Sequence, residues 1–260
     1  MNTKKSQLYF RTTVLPQGFY QRKENKTGLN QTRIMPDATT LLRITIEVTS
    51  AIIYFILVRF MIKPYRLTGE ARYVGLPLGF SFLGISYILS TLTVSQPYYS
   101  LAIFSWLQLL IRTFAFAFLA TTYYFSKKPS KNTRLLWDIT LSLLIVTLIT
   151  AFLLLANTSE SILERYHYAQ VYVRIFNVFC LTYVALHTLR SHIRKPDPAT
   201  IWIPLGFILL GISQYSFIFF YTDGSLAAFY GALAIRLVAL AVFLSVSYQT
   251  FYSSEKKEDK

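Results

Sequence analysis

The apolar runs of this chain are too long for a water-soluble core. Seven blocks reach the roughly 20 residues that a helix needs to cross the hydrocarbon layer of a membrane, and within each block apolar residues are continuous. The blocks run from Thr39 to Met61, Val74 to Val94, Leu101 to Phe125, Leu135 to Ala156, Ala169 to Leu189, Trp202 to Tyr221 and Leu226 to Tyr252. Barrel strands would be about 10 residues long with alternating character, so the continuous runs select helices. The expected fold class is all-α, a polytopic membrane protein with seven transmembrane helices.

The formal net charge of +14 would point to nucleic acid in a soluble domain. Here the basic residues collect in alternate short connections, and that pattern reports topology instead. Arg59, Lys63, Arg66 and Arg72 flank the first connection, Lys127, Lys128, Lys131 and Arg134 fill the third, and Arg190, Arg194 and Lys195 open the fifth. The second connection, Ser95 to Ser100, carries no charge. The fourth, Asn157 to His167, carries Glu160, Glu164 and Arg165, and the sixth carries Asp223. The positive-inside bias places the odd connections in the cytoplasm, the N-terminus outside and the C-terminus inside, in a cell membrane. Aromatic rings at the outer ends (Tyr98, Tyr99, Tyr166, Tyr168) and the inner ends (Tyr123, Tyr124, Trp137, Trp202, Tyr252) suit headgroup level. Glycosylation sequons at Asn25, Asn30 and Asn157 all fall on the outer side. The segment Met1 to Pro36 brings Lys4, Lys5, Arg11, Arg22, Lys23, Lys26 and Arg33 to that side, a load that synthesis from Met35 would remove. The lone Cys180 allows no intrachain disulfide.

The second and sixth spans repeat one another. Pro77, Gly79, Phe80, Gly84 and Ser86 recur in register as Pro204, Gly206, Phe207, Gly211 and Ser213. In the third and seventh, Leu109, Ile111, Arg112, Ala115, Ala117 and Tyr124 match Leu233, Ile235, Arg236, Ala239, Ala241 and Tyr248. The first and fifth share Arg43-Ile44 with Arg174-Ile175, Arg59 with Arg190, and Lys63-Pro64 with Lys195-Pro196. Apolar composition does not by itself generate ordered Pro, Gly, Ser and Arg positions. The expected plan is a polar tail over 1–37, a three-helix repeat over 38–128, a linker helix and outer loop over 129–167, a second repeat over 168–253 and a charged cytoplasmic tail over 254–260. Both halves then insert with one polarity, related by an axis along the membrane normal.

This three-plus-one-plus-three plan resembles those of the parallel-repeat sugar transporters and the microbial rhodopsins. The paired Pro-Gln signature of the former is absent, and the seventh span holds no lysine for a retinal Schiff base. In the third and seventh spans an arginine is followed by small and apolar residues, an aromatic and a basic end, from Arg112 to Lys128 and from Arg236 to Lys257. That pattern resembles the seven-helix sensor modules of some microbial membrane histidine kinases. The resemblance implies ligand sensing, with the signal passed to a cytoplasmic output domain. The tail Lys256 to Lys260 supplies none, so a partner protein is expected.

Arg112 and Arg236 lie near the middle of their spans, where an arginine costs about 2.5 to 3.5 kcal/mol on insertion scales. Each must face protein or water and find acceptors. Glu47 is the one acid at comparable depth, and it lies four residues from Arg43, within local pairing distance. Arg112, Arg236, Glu47 and Gln108 form the candidate ligand-binding set, with Asn177, Gln214, Tyr87, Tyr183 and Tyr215 as further polar company. Two readings stand side by side: a structural one, in which carbonyls, Tyr and Glu47 satisfy the arginines, and a site for a carboxylate, phosphate or carbonyl-rich molecule. His167, His187 and His192 lack zinc-motif spacing, no phosphate loop occurs, and no nucleophile with a base can be nominated. No enzyme activity, metal or cofactor is expected. The leading expectation is a binding or sensing module for a small anionic or acceptor-rich ligand, acting through a membrane or cytoplasmic partner and embedded in the lipid bilayer. The alternatives are a small-solute transporter and an accessory subunit of a membrane complex.

Overall fold

The structure, a computed structural model, describes residues 38–68, 74–95, 101–125, 131–156, 166–194, 196 and 201–252. The polar tail over 1–37, the three sequons, Met35 and the charged C-terminal tail lie outside them. The described residues form seven helices: α1 (Ala38–Thr68), α2 (Gly75–Ser95), α3 (Leu101–Phe125), α4 (Lys131–Ala156), α5 (Tyr166–Arg194), α6 (Trp202–Asp223) and α7 (Leu226–Tyr252). All seven are long and apolar enough to cross a membrane, and the chain is an integral membrane protein. Helix α1 continues through Pro64 to Thr68, beyond the apolar run.

Six helices close into a ring. Each of α1, α2 and α3 packs on the next, α5, α6 and α7 do likewise, and the two sets meet at α3 with α5 and at α7 with α1. Helix α4 stands outside, against α3. Its span is apolar apart from Asp138 and a few hydroxyl residues, and only 6% of it is buried. Its attachment is Trp137, 2% exposed, which lies edge-on to Phe125 and against Gly75 at the start of α2. The sequence places this ring at the inner headgroup level; the structure shows it packed against protein, with Gly75 leaving room for it.

Hydrophobicity does not tell these helices which way to face, because lipid is as apolar as the core. Small and polar residues mark the inner faces. A Cβ at Gly79 would come 2.8 Å from the Leu119 side chain, and one at Gly206 would come 2.7 Å from the Phe243 ring. Those glycines let α2 approach α3 and α6 approach α7. Pro77 and Pro204 are each the third residue of their helix, where a missing N–H is harmless. Between α6 and α7 the chain turns on Gly224, which holds φ at 69° and donates its N–H to the Phe220 carbonyl at 3.0 Å. Ser225 then caps α7, its Oγ accepting from the Ala228 N–H at 3.3 Å.

The ring interior has two unlike halves. Where α1, α3, α5 and α7 end, it is filled by apolar and aromatic side chains, among them Leu57, Phe80, Leu119, Phe207 and Phe243. The Phe243 ring meets Phe207 at 4.8 Å and Phe80 at 5.9 Å, both edge-on, and Tyr123 closes on Phe207 at 5.6 Å. Where those same helices begin, buried polar and charged residues stand beside a smaller apolar cluster of Phe217, Ala232 and Leu233.

Candidate functional site

The polar half is built by residues eight to eleven positions inside α3, α5 and α7, together with the first half of α1 and the last half of α2 and α6. Arg112, Arg174 and Arg236 are at most 4% exposed, and so is Glu47. Ser50, Ser86, Asn177, Ser213 and Gln214 are buried there too. A helix rises about 1.5 Å per residue, so Arg112, Arg236 and Asn177 lie about 15 Å below the ends of their helices.

Arg236 on α7 pairs with Glu47 on α1. Nη2 lies 3.3 Å from Oε2, and Nη1 donates to Oε1 at 3.5 Å. Only the second contact is aligned as a hydrogen bond, and both exceed the roughly 2.7 to 2.9 Å of a tight charge-assisted bond. The i to i+4 neighbour Arg43 does not take the carboxylate. Its guanidinium lies over the Phe229 ring at 5.4 Å, so the local pairing suggested by spacing is replaced by one across the ring of helices. An arginine preceding a glutamate on a helix is also the weaker order for a local pair.

Tyr87 on α2 is the shared platform of the two central arginines. Arg236 lies 4.3 Å and Arg112 4.5 Å from its ring centroid, and Tyr54 stacks on it at 5.3 Å with an interplanar angle of 7°. An aromatic face attracts a cation with about 2 kcal/mol or more once water is excluded. Arg112 also donates from Nε to the Ser86 hydroxyl at 3.4 Å, while its Nη2 has no hydrogen-bond partner among the described residues. The repeat-related Ser213 is engaged differently, donating to the Ala232 carbonyl at 2.8 Å.

Arg174 is the residue that sequence reasoning missed as a site candidate. Nη1 donates to Gln214 Oε1 at 3.1 Å, and the guanidinium lies over Phe217 at 4.5 Å and Tyr221 at 4.9 Å. The signal was present in the match of Arg174 to Arg43, which served only to align the two halves. Of the anticipated polar company, Tyr87, Asn177 and Gln214 are in the cluster, whereas Tyr183 and Tyr215 are exposed and turn away from the interior. Gln108, one turn before Arg112, is half-buried. The structure thus brings together Arg112, Arg236 and Glu47 and leaves Gln108 aside.

Charge decides what such a cluster can do. Among the described buried residues three guanidiniums face one carboxylate. Arginine does not shed its proton in proteins, so the imbalance cannot be relieved by titration. It needs an anion, water or both. Buried π-faces and hydroxyls soften the imbalance without cancelling it. Among the described residues no three His, Cys, Asp or Glu side chains converge.

No protein family, no curated protein and no solved structure matches this chain.

Proposed function

We propose that this protein is a ligand-binding or sensing membrane module, which holds a small anionic molecule among the buried arginines and reports its presence through a partner protein. The observation that carries the reading is the three-to-one excess of buried guanidinium over carboxylate. An anion supplied from solution would be bound most tightly where that excess is desolvated. The resemblance of the third and seventh spans to histidine-kinase sensor modules points the same way. No catalytic role is assigned to any residue.

The orientation that suits this reading has the polar half toward the outside. Arg59, Arg66, Arg190 and Arg194 are exposed at the opposite end of the bundle, where the positive-inside bias expects cytoplasm. The two halves are read as duplicated units. Exchanging α1, α2 and α3 with α5, α6 and α7 preserves the pattern of neighbours around the ring, and Gly79 against Leu119 has its counterpart in Gly206 against Phe243. That symmetry also favours a second reading, a transporter in which the halves rock about the cluster.

The deciding experiment uses full-length protein in phosphatidylcholine vesicles. Saturable stabilisation by a small anion with no uptake of it supports sensing, and concentration-dependent uptake supports transport. Absence of both overturns the ligand reading. A tag within residues 127–134 should be protected in intact cells and one within 157–167 accessible; the reverse pattern overturns the orientation.

A further inference from the structure

The buried arginines are not equivalent. Arg236 already has a carboxylate, whereas Arg112 and Arg174 have only neutral partners: Ser86 and Tyr87 for the first, Gln214 and two aromatic faces for the second. Both uncompensated arginines come from helices that pack directly on each other, α3 and α5. Tyr166 at the start of α5 joins the same two helices, its hydroxyl donating to the Ser105 carbonyl on α3 at 3.3 Å.

Asn177 adds a second, independent observation. It is fully buried on α5, one turn deeper than Arg174 and on the same side of the helix. Neither its amide nitrogen nor its amide oxygen has a hydrogen-bond partner among the described residues. A buried amide left unpaired is expensive. Arg112 Nη2 and Arg174 Nε are unpaired as well. Free donors on adjoining helices, with net positive charge and only the neutral Asn177 oxygen as an unpaired acceptor among them, describe one side of an anion site.

From this geometry we infer that the bound molecule is a small oxyanion, a carboxylate or phosphate, seated between α3 and α5 against Arg112, Arg174 and the Asn177 amide, with Arg236 held out of the contact by Glu47. The inference rests on the reading of the protein as an anion-binding module and adds where the anion sits. Arginine forks match the planar or tetrahedral oxygens of such groups in pairs, which a lysine point charge does not. Arg112 and Asn177 have their backbones about 15 Å below the ends of their helices, deeper than lipid headgroups lie, while Arg174 reaches toward the end of α6 at Tyr221; a water-borne anion held against the deeper pair is the source proposed.

The test exploits the sign of the local charge. Asn177→Asp is nearly isosteric and places a carboxylate among the free donors. In an ordinary apolar core that change lowers stability. Here the melting temperature of the anion-free protein should rise by more than about 3 °C, and the response to added anion should disappear. Sodium phosphate and sodium succinate serve as probes, at ionic strength fixed with sodium chloride, on full-length protein in phosphatidylcholine nanodiscs. A parallel arm with phosphatidylglycerol nanodiscs separates lipid phosphate from free anion. Stabilisation by phosphatidylglycerol alone would overturn the water-borne source.

Arg174→Gln and Arg174→Lys should weaken apparent affinity at least tenfold, while Arg190→Gln, at the far exposed end, should not change it. Should Arg174→Gln fail to fold, Arg174→Lys and Asn177→Asp decide the matter between them. Saturable stabilisation that persists in Arg174→Lys and Asn177→Asp would overturn the placement and leave anion binding standing. If neither probe stabilises any variant and Asn177→Asp lowers the melting temperature, the placement and the anion-binding reading fall together.

Discussion

Glu47→Gln should be the most destabilising single change in the polar half. The substitution keeps shape and removes the one buried carboxylate, so that the buried charge rises from two net positives to three. Removing one member of a buried pair costs about 3 to 5 kcal/mol, because the survivor stays desolvated and uncompensated. For a chain of this size each kcal/mol corresponds to about 2 to 4 °C, so the melting temperature in nanodiscs should fall by roughly 6 to 20 °C. Arg236→Leu should be much milder. It also breaks the pair, but it lowers the net charge to one, and Arg112, which shares the Tyr87 ring, remains near the freed carboxylate. The double variant Glu47→Leu with Arg236→Leu should lose far less than Glu47→Gln, since contacts of 3.3 and 3.5 Å repay little of the desolvation they require. The assay is thermal unfolding of the four proteins side by side, with ionic strength constant. An Arg236→Leu loss as large as that of Glu47→Gln would refute the reasoning, for it would mean that the pair acts alone and the other arginines do not feel it.

Gly206→Ala should cost about 1 to 3 kcal/mol by forcing Phe243 aside, whereas Gly211→Ala, whose Cβ would find its nearest neighbour at 3.8 Å, should melt within about 2 °C of the wild type. Gly224→Ala should cost about 1 kcal/mol through the left-handed backbone at the α6–α7 turn, read as earlier unfolding with unchanged anion response. Tyr87→Phe should be close to neutral, because the hydroxyl has no hydrogen-bond partner among the described residues, while Tyr87→Leu should cost about 2 kcal/mol or more by removing the face under two guanidiniums. Equal losses in the two Tyr87 variants would show that the ring face contributes nothing.

The spans were legible because their signal is the length of an apolar run, and α3 and α7 have the bounds that the runs alone indicate. The depth of Arg112 and Arg236 was legible for the same reason, since counting along a run gives depth. Partnership was not. Glu47 is separated from Arg236 by 189 residues, and one-dimensional rules offered only Arg43 four positions away. Arg174 escaped notice because in the sequence it serves only as a mark of the repeat; its burial comes from Gln214, Phe217 and Tyr221 on α6, which sequence spacing does not reveal. Tyr215 was grouped with the polar company on residue type alone, yet it faces outward beside Ile212. In lipid the apolar residues carry no directional information, so side-chain chemistry is legible long before side-chain direction.

The place of α4 outside the ring has a consequence for how the chain can be cut and joined. Both seams of the ring, α3 with α5 and α7 with α1, bring together helices that run in the same direction. Parallel neighbours cannot be joined by a short hairpin. At the first seam α4 supplies the return journey, the membrane counterpart of the crossover helix between parallel strands. Its largely unburied apolar span suits a segment whose task is to restore polarity with little packing of its own. Swapping its lipid-facing residues for other apolar ones should therefore be tolerated, while deleting it would invert α5, α6 and α7 and carry Arg174 and Arg236 to the opposite leaflet from Arg112.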